Sequence, residues 1–397
     1  MIKGMNNKSV RSFNSKQVMR LLFQHRKLSK SQLATKLELS IPALTKILNY
    51  LIDLELVEHI DVVHSGRGNA TGMYQMTQNT TPILCLHITP YRISTTVLNG
   101  LMDPIVDYRS LEINPTHPSE LVASVFAIYR QCIKETGSSK FKVAMALHGQ
   151  VDRRAGTSVL MPQARWAEPI DFKYLLEEEF GAEVQVDNDC VMLALAEKWL
   201  TKDHPKDFCV INVDYGIGSS FLVNDKIFRG ELFGSGQIGH SIIDQDGRKC
   251  CCGRYGCLET IASTKAITSE VRKMHKTNHN HSGEPSQISF EDVATLYHSG
   301  DMVTKQTIQK AAGSFGISLY NFLVTLSVND IVIYGDIRRL GHEWLDIVKS
   351  KALFNPFEAN TNALKEQRAS VRYGELPDSR LLNGIGFLYI EALIDNF

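Results

Sequence analysis

The stretch from Gly234 to Glu259 constrains this chain more than any other. It holds His240 and then Cys250, Cys252 and Cys257, the three cysteines falling in a tight C-x-C-G-x-x-G-C loop. Three thiolates and one imidazole complete a tetrahedral set for Zn²⁺ with no position left for water, which is the ligand count of a structural site. Gly253 and Gly256 lie where the backbone must fold round the ion, and without a Cβ they can do so. Cys251 is read as a bystander, because adjacent cysteines do not readily reach one ion. The metal would pin two segments together and hold His240 and Glu259 at fixed positions beside it.

Eight cysteines are present, four of them within residues 250–257. Met1 to Arg11 lack the apolar region of a signal peptide, so the expected compartment is the reducing cytoplasm, where thiols favour metal over disulfide. Cys85, Cys132, Cys190 and Cys209 sit in apolar runs and read as small core residues. No apolar run approaches the roughly 18–20 residues that span a bilayer, so membrane insertion is not expected. A chain of 397 residues has room for two or three domains.

Charge divides the chain. Residues 1–80 hold 11 Lys and Arg against 5 Asp and Glu, leaving 32 against 38 for the remainder. A basic head on an acidic body points to a polyanionic partner for the head. Within it, Val18, Leu21 and Leu22 give helical spacing over Ser15 to His25, and Ser29-Lys30-Ser31-Gln32 is a capping box for a second helix to about Lys36. Ser40 offers the next N-cap, with Pro42 in the first turn. Ile41, Leu44, Ile47, Leu48, Leu51 and Ile52 then form one apolar stripe, opposite Ala43, Thr45, Lys46 and Asn49. A helix–turn–helix of this kind can lay its second helix in a major groove, so Ser40, Ala43, Thr45 and Lys46 are candidate contacts to double-stranded DNA. Val57 to Val63 and Gly72 to Met76 read as a strand pair whose tip carries Arg67 between glycines, a wing suited to a narrow minor groove. The competing reading is a small helical module for protein contacts.

His240, the Gly234-Ser235-Gly236-Gln237-Ile238-Gly239 run before it and the C-x-C-G-x-x-G-C-x-E run after it resemble the ROK family of repressors, open reading frames and sugar kinases. The resemblance implies a two-lobed α/β body with the actin-like ATPase fold of the family's sugar kinases, behind an N-terminal winged helix-turn-helix domain like that of its regulators. The domains expected are 1–80 for the head, 81–193 for the first lobe and 194–380 for the second with its zinc loop, the C-terminal helix 381–397 packing on the first. Alternating strands and helices from Ile83 onward agree with such a body: strands near 83–88, 93–98, 141–147, 183–187, 208–213, 220–224 and 330–334, and helices near 119–134, 171–180, 189–200, 305–326 and 381–394. In the family's regulators the wing reads Arg-Gly-Arg-Pro; here Asn69 and Ala70 replace its second half.

Nucleotide phosphates need glycine turns that bring backbone N–H groups close. The family's first phosphate loop, Asp-Ile-Gly-Gly-Thr, corresponds to His87-Ile88-Thr89-Pro90-Tyr91, which has lost the acid and both glycines. The second, Gly-Thr-Gly, corresponds to Asp214-Tyr215-Gly216, and the glycine-rich adenosine turn to Tyr334-Gly335-Asp336. Productive ATP binding is therefore not expected. The sugar side is better kept. The resemblance assigns Asn188 and Asp189 to the pair that grips sugar hydroxyls, Asp189 being the vestigial base, and Gly149 to the loop beside it. His240 and Glu259 match the remaining sugar residues, while Gln237 stands where the family has Glu and His148 where it has Pro. The competing reading of Asp189 is a helix N-cap or first-turn acid that stabilises the helix dipole without any ligand.

The expectation is a sugar-responsive transcriptional regulator, a repressor of carbohydrate genes. It would bind a DNA operator and a sugar or sugar-phosphate effector as a homodimer or homotetramer, with a protein regulator as a further candidate partner. The alternative is an ATP-dependent sugar kinase carrying an accessory DNA-binding domain.

Overall fold

The computed structural model describes residues 7–62, 71–78, 81–202, 204–230, 236–278, 288–326, 328–353 and 369–395. The chain divides into two compact units, Met1–Leu200 with Asp378–Phe397, and Thr201–Pro377. The division falls after Leu200 rather than at 193, because one continuous helix runs from Asp189 to Leu200.

The first unit opens with helices α1 (Asn7–His25), α2 (Lys30–Leu37) and α3 (Ile41–Asp53), with the two-residue strand β1 (Leu28–Ser29) between the first two. The Ser29 capping box is formed in both directions, and Ser40 caps α3 with Pro42 in the first turn. Leu44, Ile47, Leu48 and Leu51 bury the apolar face of α3, whereas Ile41 remains 45% exposed because it heads the helix, ahead of the turn that packs. Strands β2 (Val57–Val62) and β3 (Thr71–Met76) pair antiparallel, and β1 joins the free edge of β3 to give a sheet of order β1-β3-β2. The connection between β2 and β3, with Arg67, Asn69 and Ala70, lies outside the described residues.

A five-stranded sheet follows. Strands β4 (Ile83–Ile88), β5 (Arg92–Leu98) and β6 (Pro104–Glu112) run antiparallel. After α4 (Pro118–Thr136), β7 (Lys142–Leu147) adds parallel to β4. A small sheet of β8 (Gln150–Asp152), β9 (Thr157–Leu160) and β10 (Ile170–Asp171) leads to α5 (Phe172–Phe180). Strand β11 (Glu183–Asn188) then closes the order β11-β7-β4-β5-β6, and α6 (Asp189–Leu200) follows it without a break. Residues Cys190 to Lys198 of α6 are all buried, a helix enclosed on every side. The C-terminal helix Asp378–Asp395 packs along it, and the Tyr389 hydroxyl reaches the carbonyls of Val143 and Glu183 on β7 and β11.

The second unit repeats the plan. Strands β12 (Phe208–Val213), β13 (Ile217–Val223) and β14 (Lys226–Phe228) are antiparallel, and two later strands add parallel to β12. The helices α7 (Glu259–Ala262), α8 (Thr264–Asn278), α9 (Phe290–Ser299), α10 (Met302–Leu326) and α11 (Gly341–Ala352) lie around β15 (Asp330–Tyr334) and β16 (Ser370–Tyr373), giving the order β14-β13-β12-β15-β16. Two sheets of the same topology are the actin-like plan expected from the resemblance. Among the elements absent from the expected order are β6, β16, α8, α9 and α11. Of these, β6 is largely exposed, and its burial pattern carries no alternation to reveal it. Cys85, Cys132, Cys190 and Cys209 are all buried, as expected.

Candidate functional site

The metal-ligand set is assembled within the second unit. His240 ends a short 3₁₀ turn, Ile238–His240, and the cysteine loop returns to it through isolated antiparallel bridges at Ile242–Cys257 and Lys249–Tyr255. Cys250 N–H donates to Arg254 O at 2.7 Å and Gly253 N–H to Cys250 O at 3.0 Å, so the backbone closes the loop by itself. Gly256 has φ +69°, and a Cβ there would lie 1.5 Å from Asp244 O, so no other residue fits. One ligand atom from each of His240, Cys250, Cys252 and Cys257 falls within 4.8 Å of the others. Cys252 and Cys257 Sγ are 3.6 Å apart, and His240 Nδ1 is 3.5 Å from Cys250 Sγ. A tetrahedral zinc with ordinary Zn–S and Zn–N bonds has edges of about 3.7 Å and about 3.5 Å for those pairs. The cluster could therefore hold a metal ion, with His240 using Nδ1 and keeping Nε2 for another partner.

Glu259, at the start of α7, turns toward the second phosphate-loop counterpart. Its Oε2 accepts the Ile217 N–H at 3.0 Å. The preceding Asp214 Oδ1 accepts the Tyr215 N–H at 2.9 Å, and Asp214 N–H donates to Gly216 O. The N–H groups of Asp214, Tyr215 and Ile217 are thus committed to carbonyl and carboxylate oxygens of the protein itself. At Tyr334-Gly335-Asp336 the Tyr334 ring is buried, with Arg338 stacked over it at 5.2 Å. Gln237 lines a cavity of about 380 Å³ with Phe221, Ile242, Ser318 and Phe322.

The first unit carries the second cluster. Strands β4, β7 and β11 are adjacent and parallel, with Ile88 level with Leu147 and Leu147 level with Asn188. Their carboxyl ends bring His87, His148 and Asp189 to one edge of the sheet, where α/β folds meet ligands. Asp189 is buried at 7% exposure, and its Oδ2 lies 3.0 Å from His148 Nδ1. Burial pushes the Asp189 carboxyl upward, but the hydrogen bond and charge of His148, aided by His87, hold it below the ordinary aspartate value. Burial pushes the His87 imidazole down to about 4, against the pull of Asp189. Its Nε2 is buried and has no hydrogen-bond partner.

Asn188 is oriented locally: its amide donates to Gly149 O at 2.8 Å, and its Oδ1 accepts the Cys190 N–H at the start of α6. Gly149 has φ +96°, and a Cβ would meet Leu160 O at 2.3 Å. At the first phosphate-loop counterpart, Thr89 Oγ1 accepts the N–H groups of Tyr91 and Arg92, and Thr89 N–H donates to Arg92 O. This loop also keeps its donors for itself. The pairing of His148 with Asp189 was not foreseen, and the signal for it was that each residue directly follows a buried strand of one parallel sheet.

In the head, Ser40 Oγ accepts the Ala43 N–H at 3.4 Å, and Thr45 Oγ1 donates to Ile41 O at 2.8 Å, so both hydroxyls serve the helix. Lys46 is exposed and Ala43 and Thr45 half-buried, while Arg67 is outside the described residues. The head is joined to the far end of α6. Phe23 of α1 meets the Trp199 ring edge-on at 6.0 Å, and Trp199 stacks on Phe387 of the C-terminal helix at 5.3 Å. Glu391 Oε1 accepts from Trp199 Nε1 at 2.8 Å and pairs with Lys198 at 2.7 Å. Arg26 bridges to Asp103 at 2.7 Å. None of these docking residues was singled out from the sequence, since aromatic residues at helix ends look like any other core positions.

A family model described as "ROK family" matches residues 105–370. The chain belongs to the ROK family. Across 388 residues, 98% of both chains, this ROK protein is 39% identical to the uncharacterized protein YphH of Escherichia coli (strain K12). It is 26% identical over 401 residues, 98% of this chain and 97% of the other, to the DNA-binding transcriptional dual regulator NagC of the same organism. The solved structure of a ROK family transcriptional regulator, a homolog of the E. coli MLC protein, superposes with a TM-score of 0.77 at 22% identity over 97% of each chain. A ROK family glucokinase from Streptomyces griseus superposes with a TM-score of 0.65 at 19% identity, covering 77% of this chain and 98% of its own. Relatives named as regulators thus span the head as well as the body. Among the described residues, no helix is long and apolar enough to cross a membrane.

Proposed function

We propose that this chain is a sugar-responsive transcriptional repressor that binds double-stranded operator DNA through the winged helix-turn-helix of residues 1–80. Carbohydrate genes are its targets and the cytoplasm its compartment. The observation that carries the reading is α6, whose first residue is Asp189 and whose last turn holds Trp199 against Phe23 of the head. A ligand that rearranges the Asp189–His148 pair acts on one end of a buried helix, and α1, against which α2 and α3 pack, rests on the other end. A tenfold change in operator affinity requires the ligand to favour one arrangement by about 1.4 kcal/mol, within the reach of one or two hydrogen bonds. Full-length similarity to NagC supports the same reading.

The effector is a sugar or sugar phosphate gripped by Gly149, Asn188 and Asp189, with His240 and Glu259 assigned to it by the family resemblance. The His240, Cys250, Cys252 and Cys257 set holds structural Zn²⁺. Lys46 and Arg67 would provide phosphate and groove contacts, and Ser40, Ala43 and Thr45 lie at the reading end of α3. A two-fold operator calls for a homodimer or homotetramer, since recognition helices must sit about 34 Å apart. Kinase activity is not part of the proposal, because the N–H groups of Thr89, Tyr91, Arg92, Asp214, Tyr215 and Ile217 at the two phosphate-loop counterparts already have partners within the protein.

A footprint across upstream regions of carbohydrate genes, repeated with a panel of sugars and sugar phosphates, tests the proposal. Protection of a preferred site that one sugar relieves or strengthens is the expected result. No preferred site, or steady ADP formation with a hexose that Asp189→Asn abolishes, would overturn it.

A further inference from the structure

Cys251 stands outside the four-ligand set, yet its side chain does not point idly into solvent. Its Sγ lies 3.9 Å from Cys250 Sγ and 3.4 Å from Glu259 Oε1, and single ligand atoms of Cys250, Cys251 and Glu259 fall within 4.8 Å of one another. We propose that these three residues form a second metal site, sharing the Cys250 thiolate with the first and taking a thiophilic divalent cation such as Zn²⁺ or Cd²⁺. The inference rests on the first site being a metal site.

The geometry matches that of a coordination sphere. Zinc held by sulfur and carboxylate oxygen has S–S and S–O edges of about 3.7 Å and about 3.5 Å, close to the separations on either side of Cys251. Adjacent cysteines do not readily serve one ion, but they can serve two neighbouring ions when one thiolate uses a second lone pair as a bridge. The carboxylate is already oriented for this, because Glu259 Oε2 accepts the Ile217 N–H at 3.0 Å and leaves Oε1 facing Cys251. A hydrogen bond that fixes the rest of a ligating carboxylate is the usual support for a metal ligand.

Charge supports the same arrangement. Cys250, Cys251, Cys252, Cys257 and Glu259 carry five negative charges when all are ionised, and one divalent ion leaves most of that uncompensated. A second ion displaces the Cys251 proton and lowers the net charge of the cluster to minus one. Cys251 is exposed, so the three protein ligands leave a fourth position open to water or a small molecule. Such a site exchanges its ion more readily than a set whose four positions are all filled by protein. Occupation takes up Glu259 Oε1, so an ion there and any other ligand of that oxygen exclude one another.

Cadmium titration of the metal-stripped full-length chain reads the stoichiometry directly, through thiolate-to-metal charge-transfer absorption and elemental analysis. Wild type is expected to take two equivalents, the second more weakly, and to show two ¹¹³Cd resonances. Cys251→Ser is expected to lose the second equivalent and keep the first. Without any substitution, maleimide labelling of Cys251 is expected to stop only when the second equivalent is added. Saturation at one equivalent, or a second equivalent that persists in Cys251→Ser, would overturn the proposal and reduce the Cys251–Glu259 contact to a thiol hydrogen bond. Zero equivalents would instead sink the zinc reading of the first site, and this inference with it.

Discussion

Lowering the pH from 7 to 5 will cost the first unit stability through the buried imidazole of His87. His87 sits at the end of β4 with a buried, unpartnered Nε2, and its pKa falls from 6.5 to about 4 on folding. Between those values the unfolded chain takes up a proton and the folded chain does not. Stability is therefore fully present above pH 6.5 and declines as the pH falls toward 4. For that shift the linkage relation gives a loss of about 2 kcal/mol between pH 7 and pH 5. Asp189, whose pKa is depressed below the ordinary aspartate value, adds its own loss only at lower pH, so the windows separate. Urea unfolding followed by tryptophan fluorescence measures the effect. A Trp344→Phe background leaves Trp166 and Trp199, both of the first unit, to report. His87→Gln removes the titrating group, and its stability relative to the parent is expected to rise by about 2 kcal/mol on going from pH 7 to pH 5. Parallel pH profiles for the two proteins would refute the assignment.

Other perturbations follow from the same contacts. Gly149→Ala places a Cβ against Leu160 O at a φ of +96°, and is expected to destabilise the first unit by about 2 kcal/mol and to abolish sugar-induced thermal shifts. Glu391→Gln leaves the nearly enclosed Lys198 ammonium without its 2.7 Å carboxylate, with an expected loss of about 2 kcal/mol in urea unfolding and altered operator affinity. If the head were not held through Trp199, only the first effect would appear. Lys46→Ala is expected to weaken operator binding across all sequences and to reduce the log–log salt slope by about 1 in a mobility-shift series. Stripping the metal with a chelator is expected to lower the melting point of the second unit while leaving that of the first unchanged, as differential calorimetry would show.

The elements most plainly legible in the amino-acid string were those whose physics is local. The capping box at Ser29 and the N-cap at Ser40 specify helix starts through groups three residues away, and α2 and α3 begin where those residues stand. The C-x-C-G-x-x-G-C spacing brings its thiols together through one tight loop, so the ligand set could be named before any fold was known. The lost glycines of the phosphate loops are likewise visible as letters. What their backbone donors do instead, bonding to Thr89, Asp214 and Glu259, is not.

Only tertiary structure decided the rest, because it depends on residues far apart in the chain that share no periodicity. His148 reached Asp189 through the in-register pairing of β7 with β11, a parallel contact that no local pattern encodes. Cys251, which spacing alone makes a bystander, acquired a partner because α7 begins at Glu259 and folds back over the loop. The joint between head and body required Phe23, Trp199 and Phe387, three rings from three separate helices, to arrive at one place. Helix starts and a metal loop are specified by neighbours in sequence, whereas the meeting of His148 with Asp189 at one end of α6, and of Phe23 with Trp199 at the other, is specified by packing.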